Sequence, residues 1–363
     1  MGKFAIAGIA LVLALAGCAV APDISGPAPE EQIVAFYEND MRYPHCSVAC
    51  VRGEKATFAG DPRAIYRLGS LTKFFVRAAL ERLHASGRLD LDASVTRYAP
   101  FALSEEYDSV TMRDLIENRS GLPREFLNPW NPLDWNTAFC CGLFGTHLYA
   151  GFEELPDFAA ALGSCRSRRQ VRARRPQYSN VGFALLSISA ANAVGRTLDD
   201  ILADEVVRPL GLEDTAFTPS AEMSARLTPP CAGKLPWLVP RGREVPQHPL
   251  GPALRGTGSV ISSAADCARF FVSQWPYVDS LLAERPLDSR DDDDVCGLLR
   301  VKVLPSGRRI LYRFGMIYGG ASYVAYEPQS HTIILILLNV TSWPAAEDFY
   351  FTDRLLAVGS QTP

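Results

Sequence analysis

Residues 70–73, Ser-Leu-Thr-Lys, stand where an extended segment at residues 64–68 gives way to an amphipathic helix. Apolar residues recur every three or four positions over residues 74–83, and Gly87 marks the end of the helix. Ser70 is therefore predicted to lie at the helix N-terminus. Unpaired N–H groups and the positive end of the helix dipole can stabilise negative charge that develops near a hydroxyl oxygen there.

Lys73 is spaced to share a helix face with Ser70, so its amine can reach the hydroxyl. A desolvated lysine with a depressed pKa can take the hydroxyl proton and make the serine a nucleophile. The alternative is an N-cap serine followed by a surface lysine. Composition favours catalysis, because most cations in this chain are arginines, which cannot lose a proton. Among 36 lysines and arginines, the lysines are Lys3, Lys55, Lys73, Lys234 and Lys302.

A second proton carrier is predicted in the sequence Tyr178-Ser179-Asn180, directly before an apolar helix at residues 181–186. Tyr178 can shuttle a proton if a neighbouring ammonium lowers its pKa, and the Asn180 amide can both donate and accept hydrogen bonds. The local alternative is a helix start with a core tyrosine and a capping asparagine.

Glycines interrupt two predicted strands, at residues 313–316 (Arg-Phe-Gly-Met) and 318–326. Glycine weakens a strand interior unless something must approach the backbone closely. Gly315 therefore indicates an edge along which a substrate can lie, with the N–H groups of Met316 and Ser70 as oxyanion donors. A bulged or twisted hairpin is the alternative.

The order Ser-x-x-Lys, Tyr-x-Asn and a basic residue two positions before a strand glycine resembles the penicillin-recognising serine hydrolases. Within them it is most similar to the branch of class C β-lactamases, D-alanyl-D-alanine carboxypeptidases and esterases. Further agreement lies at residues 110–116 with 119–123, 209–215, and 256–260 with 262–266. The resemblance spans about residues 29–340. It implies an α+β fold of the serine β-lactamase type: an antiparallel sheet flanked by helices, an inserted all-helical region, and an active site in the cleft between them.

This resemblance implies that an ester or amide carbonyl acylates Ser70 and that water then hydrolyses the acyl-enzyme. Lys73 would deprotonate Ser70, and Tyr178 would pass the proton to the leaving group and later activate water. The residues implied to bind substrate are Asn180, Arg313, Gly315 and Met316. Neither a metal nor an organic cofactor is implied, and no Cys-x-x-Cys pair or paired-histidine spacing supports zinc.

The chain departs from the usual residues of that family at the last of these motifs, the basic residue before the strand glycine. Arg313 stands where lysine or histidine is usual; it keeps the charge that binds a substrate carboxylate but cannot carry a proton. Bulky Phe314 replaces threonine or a small residue, and we expect it to narrow the cleft. Nearby, Asn118 stands where histidine is common, which we interpret as structural.

Residues 1–17 are predicted to be a lipoprotein signal peptide, since Lys3 precedes a short apolar run that ends in Leu-Ala-Gly-Cys. This run resembles the lipobox of bacterial lipoproteins, which implies cleavage before Cys18 and its lipidation. Residues 18–28 are predicted to tether the fold to the lipid. Ala19 fits retention at the outer membrane, so we expect a lipid-anchored protein on the periplasmic side of a bacterial envelope. The alternative is an ordinary secretory signal with an incidental cysteine.

Strands at both ends of the chain, with helices between them, predict a sheet assembled from both termini. The predicted sheet domain comprises residues 29–105 and 241–363, and residues 106–240 are predicted to be an inserted helical domain. We also expect a hairpin at residues 46–59 and a closing helix at residues 347–357.

The charge pattern gives no reason to expect a nucleic-acid partner, because the net charge is −4 and the sequence pI is about 5.8. The arginine-rich stretch at residues 166–175 and the aspartate-rich stretch at residues 288–294 are predicted to lie in solvated loops. A weaker hypothesis is that the arginines face anionic headgroups or an anionic substrate. Residues 128–135 and 140–141 are expected to form a chain-specific wall of the cleft.

The cysteine count favours disulfides. Of the nine cysteines, the eight besides Cys18 form an even set, as is common in exported proteins, but the spacing does not choose their pairing.

These observations predict a monomeric, lipid-anchored serine hydrolase that cleaves an ester, amide or cell-wall peptide bond of a small-molecule or peptide substrate. The alternative is a non-catalytic lipoprotein that keeps the cleft to hold peptidoglycan or another envelope ligand. Arg313 and Phe314 motivate the alternative, whereas the intact Ser-x-x-Lys and Tyr-x-Asn motifs weigh against it.

Overall fold

The computed structural model describes residue 24 and residues 28–126, 154–164, 177–234, 239–246, 249–284, 298–342 and 346–359. Several predicted features lie outside these residues: the lipobox through Cys18, the cleft wall at 128–135 and 140–141, and the charged segments at 166–175 and 288–294.

The strands are β1 (Cys46–Arg52), β2 (Lys55–Ala59), β3 (Ile65–Arg67), β4 (Cys231–Ala232), β5 (Ile261–Ser263), β6 (Arg300–Val303), β7 (Arg309–Ile317), β8 (Gly320–Glu327), β9 (Thr332–Leu338) and β10 (Val340–Thr341). Six of them form an antiparallel sheet in the order β2-β1-β9-β8-β7-β6. The N-terminal strand β1 lies beside the C-terminal strand β9, so the prediction of a sheet assembled from both termini is confirmed. Short ladders join β3 to β5 and β4 to β10.

The α-helices are α1 (Pro29–Ala35), α2 (Thr72–Ala85), α3 (Met112–Ile116), α4 (Leu155–Ser164), α5 (Asn180–Val194), α6 (Leu198–Leu202), α7 (Arg208–Leu210), α8 (Ala221–Arg226), α9 (Arg255–Gly258), α10 (Ala264–Val272), α11 (Trp275–Glu284) and α12 (Ala346–Gly359). The π-helical segments are Phe36–Asp40 and Ala203–Val207, and the 3₁₀ turns are Gly69–Leu71, Val95–Arg97, Glu105–Tyr107 and Pro252–Leu254.

Both faces of the sheet are covered, which explains why every residue of β9 is buried. Successive side chains of a strand point to opposite faces. Leu335 accordingly belongs to the buried cluster that contains Phe75 of α2, whereas Ile336 belongs to the cluster that contains Ile33 of α1 and Leu355 of α12. Helix α2, which begins within the Ser-x-x-Lys motif, packs on the first of these two faces, so the sheet holds the motif in place.

The local predictions at the two ends of the chain agree with the structure. The hairpin is formed by β1 and β2, which turn at Gly53 with a φ of 57°. The closing helix is α12. The boundaries of the inserted helical domain stay a prediction, and one continuous buried cluster includes both Phe183 of α5 and Val324 of β8.

Among the described helices, none is by itself long and apolar enough to cross a membrane. The segments Asn180–Val194 and Leu198–Leu210 reach that length and composition only as a pair, across a bend of 86°.

Candidate active site

Ser70 lies in the 3₁₀ turn Gly69–Leu71, which leads directly into α2. Gly69 has a φ of 51°, and a Cβ there would lie 2.6 Å from the backbone N of Met316. Glycine is required at this position because other residues disfavour positive φ and because β7 passes directly against the turn. The backbone of Met316 therefore lies beside the residue that precedes Ser70.

Lys73 is completely buried in the first turn of α2. Its Nζ donates to the carbonyl oxygen of Thr257 at 2.6 Å and lies 3.5 Å from the Oγ of Ser70. Burial lowers the pKa of Lys73; Tyr178 opposes this shift and the charge of Arg313 adds to it. A buried amine with a lowered pKa, beside a serine hydroxyl, is suited to accept the hydroxyl proton.

Tyr178 lies on the other side of the same hydroxyl. Its phenol donates to the Oγ of Ser70 at 2.6 Å. Burial raises the pKa of Tyr178, but the charges of Lys73 and Arg313, together with hydrogen bonds to Lys73 and Ser70, outweigh burial and bring it to about 8. The Arg313 guanidinium stacks on the ring, with its Cζ 3.9 Å from the centroid.

This lowered pKa is unusual within the described part of the chain. Burial raises the pKa of the other tyrosines whose values are perturbed, namely Tyr37, Tyr43, Tyr66, Tyr318, Tyr323 and Tyr326. Tyr178 differs from them because the charges of Lys73 and Arg313, together with its hydrogen bonds, lower its pKa by more than burial raises it.

In an Arg313→Gln variant, we expect the Tyr178 phenol to ionise at a higher pH than in the parent. One of the charges that oppose burial is then absent, so the pKa rises from about 8. A pH titration of the ultraviolet absorbance of tyrosinate measures the shift, and a Tyr178→Phe variant identifies the signal. Arg124→Gln is the matched control, because the Arg124 Cζ lies 5.3 Å from the same centroid on a side chain that is 62% exposed. An early ionisation that is unchanged in Arg313→Gln would contradict this account.

Asn180 begins α5, and Ser179 is the N-cap of that helix. The Asn180 backbone N–H donates to the carbonyl oxygen of Arg124 at 2.9 Å, and its Nδ2 donates to the Oε1 of Glu125 at 2.6 Å. The Ser179 N–H donates to the Oδ1 of Asn118 at 2.8 Å. Asn118 is buried with a φ of 54°, a conformation that asparagine tolerates. These contacts fit the structural interpretation of Asn118, which supports the Tyr-x-Asn segment.

Gly315 lies where β7 crosses the segment that leads into the Ser70 turn. A Cβ there would collide with the carbonyl oxygen of Leu68 and with the Oγ of Ser322. Ser322 is the cross-strand partner of Gly315 on β8, and its hydroxyl donates to the same Leu68 carbonyl at 2.6 Å. The close approach indicated by the glycine is therefore that of the turn itself.

The expectation that Phe314 narrows the cleft is wrong. Neighbouring residues of a strand point to opposite faces, so Phe314 lies on the face opposite Arg313. Its ring packs against those of Tyr312, Tyr323 and Phe349, with centroid separations of 5.4, 4.9 and 5.6 Å. Its bulk fills the interface between the sheet and α12.

The structure thus brings together Ser70, Lys73, Tyr178 and Arg313, with the backbone of Met316 alongside. Sequence reasoning missed Glu125 and Thr257 as parts of this arrangement. Thr257 lies in the stretch 256–260, which was noted for resemblance alone. It contributes its backbone carbonyl oxygen, a group that every residue type has, so its identity could not reveal this role. The only signal for Glu125 was its position just after the stretch 119–123.

A candidate cation site also occurs among the described residues. The ligand atoms of His84, Asp90 and Asp92 lie within 4.8 Å of one another. However, the Nε of Arg113 donates to Asp92 at 2.6 Å. A guanidinium already neutralises this carboxylate, so the donor set fits a cation poorly.

The described cysteines are Cys46, Cys50, Cys231 and Cys267, and all four are buried and free. The other members of the predicted disulfide set, Cys140, Cys141, Cys165 and Cys296, lie outside the described residues.

Comparison with known proteins identifies the family. The Beta-lactamase family matches residues 35–358. The D-alanyl-D-alanine-carboxypeptidase/endopeptidase AmpH of Escherichia coli (strain K12) is 27% identical over 301 residues, which cover 74% of this chain and 69% of that protein. The class C β-lactamase of Rhodobacter sphaeroides has a TM-score of 0.66 at 17% identity and covers 90% of this chain and 99% of its own. The β-lactamase/D-alanine carboxypeptidase of Yersinia pestis has a TM-score of 0.61 at 15% identity, with coverage of 91% and 96%. These likenesses confirm the predicted α+β fold, and the match over nearly the whole sequence places the chain in the β-lactamase family of serine hydrolases.

Proposed function

We propose that this hydrolase cleaves an ester, amide or peptide bond through an acyl-enzyme formed on Ser70. The observation that carries the proposal is the convergence of two proton carriers on one hydroxyl. The Tyr178 phenol lies 2.6 Å from the Ser70 Oγ, and the Lys73 Nζ lies 3.5 Å from it.

Lys73 accepts the proton of Ser70 as the hydroxyl attacks the substrate carbonyl. Burial lowers the pKa of Lys73, which supports this role because it favours the neutral amine, the form that can accept a proton. The N–H groups of Ser70 and Met316 stabilise the oxyanion. The close approach of β7 to Gly69 supports this pairing.

Tyr178 passes the proton to the leaving group and then removes a proton from the water that attacks the acyl-enzyme. A pKa of about 8 supports both steps, because proton transfer is most efficient when the carrier titrates near the working pH. Asn180 lines the path of the substrate, and Gly315 lets β7 lie against the segment that leads into the Ser70 turn.

Arg313 binds a carboxylate on the leaving group. A guanidinium can hold a carboxylate through two parallel hydrogen bonds, and here it lies against the ring of the tyrosine that donates to the leaving group. A C-terminal peptide carboxylate meets this requirement. The name of the relative AmpH, a D-alanyl-D-alanine carboxypeptidase/endopeptidase, agrees with a cell-wall peptide as substrate.

The mature protein acts at the periplasmic side of a bacterial envelope, held by lipid on Cys18. The support for this location is the lipobox-like sequence at residues 15–18 and the proline-rich stretch that follows it.

A neutral fluorophosphonate tests the proposal, because such a reagent reacts with activated serine hydroxyls without relying on charge recognition. We expect the intact mass of the purified protein to increase by one phosphonyl group, and peptide mapping to locate that group on Ser70. Absence of labelling, or labelling at another serine, would contradict the proposal and favour the non-catalytic alternative.

A further inference from the structure

Arg124 lies beside Tyr178 in the candidate active site. Its carbonyl oxygen accepts the Asn180 N–H at 2.9 Å, and the preceding carbonyl, that of Pro123, accepts the Ser179 hydroxyl at 2.6 Å. The Arg124 guanidinium lies over the Tyr178 ring, with its Cζ 5.3 Å from the centroid. The hydrogen bonds therefore anchor the backbone of Arg124 to the segment that carries this phenol.

Two guanidinium groups thus lie close to the ring of one proposed proton carrier. The Arg313 Cζ lies 3.9 Å from the Tyr178 centroid, so the two Cζ atoms are no farther apart than the sum of 3.9 and 5.3 Å. Within the described part of the chain, neither guanidinium donates a hydrogen bond to another residue. Like charges this close repel each other, and an anion bound at each relieves the repulsion. A ligand with two anionic groups therefore suits this pair of arginines better than a ligand with one.

The carboxylate next to Arg124 leaves its guanidinium accessible. The Arg124 Nε lies 3.8 Å from the Oε1 of Glu125, which is beyond hydrogen-bond distance, and the Arg124 side chain is 62% exposed. An ion pair at that distance with one solvated partner is weak and is screened by salt. The same Oε1 accepts a hydrogen bond from the Nδ2 of Asn180 at 2.6 Å instead. An anion on a ligand can therefore bind the Arg124 guanidinium without displacing a strong contact among the described residues.

We propose that Arg124 is a specificity-determining residue that binds a second carboxylate on the leaving group of the substrate. This assignment rests on the function proposed above, in which Arg313 binds one carboxylate of the leaving group and Tyr178 protonates that group. Because Arg124 lies over the same phenol, its guanidinium is close to the leaving group as well. The preferred leaving group is then an amino acid with two carboxylates. A guanidinium can hold a carboxylate through two parallel hydrogen bonds, so a neutral analogue of the same shape binds less tightly.

A competition experiment tests the assignment without requiring turnover. The rate of fluorophosphonate labelling of the purified protein is measured in the presence of N-acetyl-D-alanyl-D-glutamate or of N-acetyl-D-alanyl-D-glutamine. The two peptides have nearly the same shape, but the second lacks the additional carboxylate. We expect the glutamate peptide to halve the labelling rate at a concentration roughly fivefold or more below that of the glutamine peptide. In Arg124→Gln this preference should disappear, while labelling in the absence of peptide should continue and so show that the variant is folded.

Arg119→Gln is the matched control, since Arg119 precedes Arg124 by five residues and its Nε already pairs with Glu117 at 3.2 Å. It should keep the preference of the parent. A parent that is labelled but does not prefer the glutamate peptide overturns the assignment alone, and so does a preference that survives in Arg124→Gln. A parent that is not labelled overturns the proposed function, and the assignment with it.

Discussion

Substitution of Ser70 by alanine is expected to lower kcat/KM by roughly 10⁴-fold or more, because the variant has no atom to form the acyl-enzyme. Substrate binding and oxyanion stabilisation remain, so a small residual rate above that of water is expected. Steady-state hydrolysis of an activated ester measures the loss. The fold should persist, since the change removes one hydroxyl from a residue that is already partly exposed.

The control for this prediction is Ser86→Ala, which removes a serine hydroxyl just beyond the other end of α2. The Ser86 Oγ donates to the carbonyl oxygen of Leu83 at 3.0 Å and has no contact with the candidate site. Its kcat/KM should match that of the parent. A Ser70→Ala variant with the thermal unfolding midpoint and the activity of the parent would show that the reaction does not pass through Ser70.

Substitution of Lys73 by methionine is expected to lower kcat/KM by roughly 10²- to 10⁴-fold, because the side chain keeps much of its length but can no longer accept the proton of Ser70. The effect should fall on acylation, so fluorophosphonate labelling should slow as well. The variant also loses the donor to the carbonyl of Thr257, which at present receives a hydrogen bond at 2.6 Å. An unsatisfied buried acceptor costs about 1–3 kcal/mol, so a moderate fall in stability should accompany the loss of activity.

The pH dependence gives Lys73→Met a second readout. Burial raises the pKa of Tyr178 and Lys73 is first among the groups that lower it, so removal of the amine should move the tyrosinate ionisation above about 8. Lys55→Met, at an exposed position of β2, is the control for a lost lysine charge and should change neither the activity nor the titration. A Lys73→Met variant that is labelled at the rate of the parent would exclude Lys73 as the base.

The positions of Glu125 and Phe314 were not predicted correctly from the sequence. The identity of Phe314 suggested a bulky obstacle, yet the strand period places it on the face opposite Arg313, against Phe349 of α12. That outcome could have been derived from the alternation of β7 once its register was known. The contact between Glu125 and Asn180 spans 55 residues, and no periodicity links them.

What the sequence by itself determined is local. The spacing of Ser70 and Lys73 on one helix and the start of a helix just after Tyr178 follow from the geometry of a single helix. The sequence offered Asn180 as the cap of α5, whereas the structure has Ser179 in that role. The covered sheet could also be predicted, because an uninterrupted apolar run such as residues 333–338 of β9 is typical of a strand that is buried on both faces.

Only the tertiary structure decided which of these pieces meet. Tyr178 reaches Ser70 across 108 residues of sequence, and the Thr257 carbonyl reaches Lys73 across 184. Such distances depend on how α2, α5, α9 and β7 pack around one buried core, and local patterns carry no information on that packing. The pKa values follow the packing as well, since burial and the closeness of Lys73 and Arg313 to one phenol set them, and both arise only when the chain is folded.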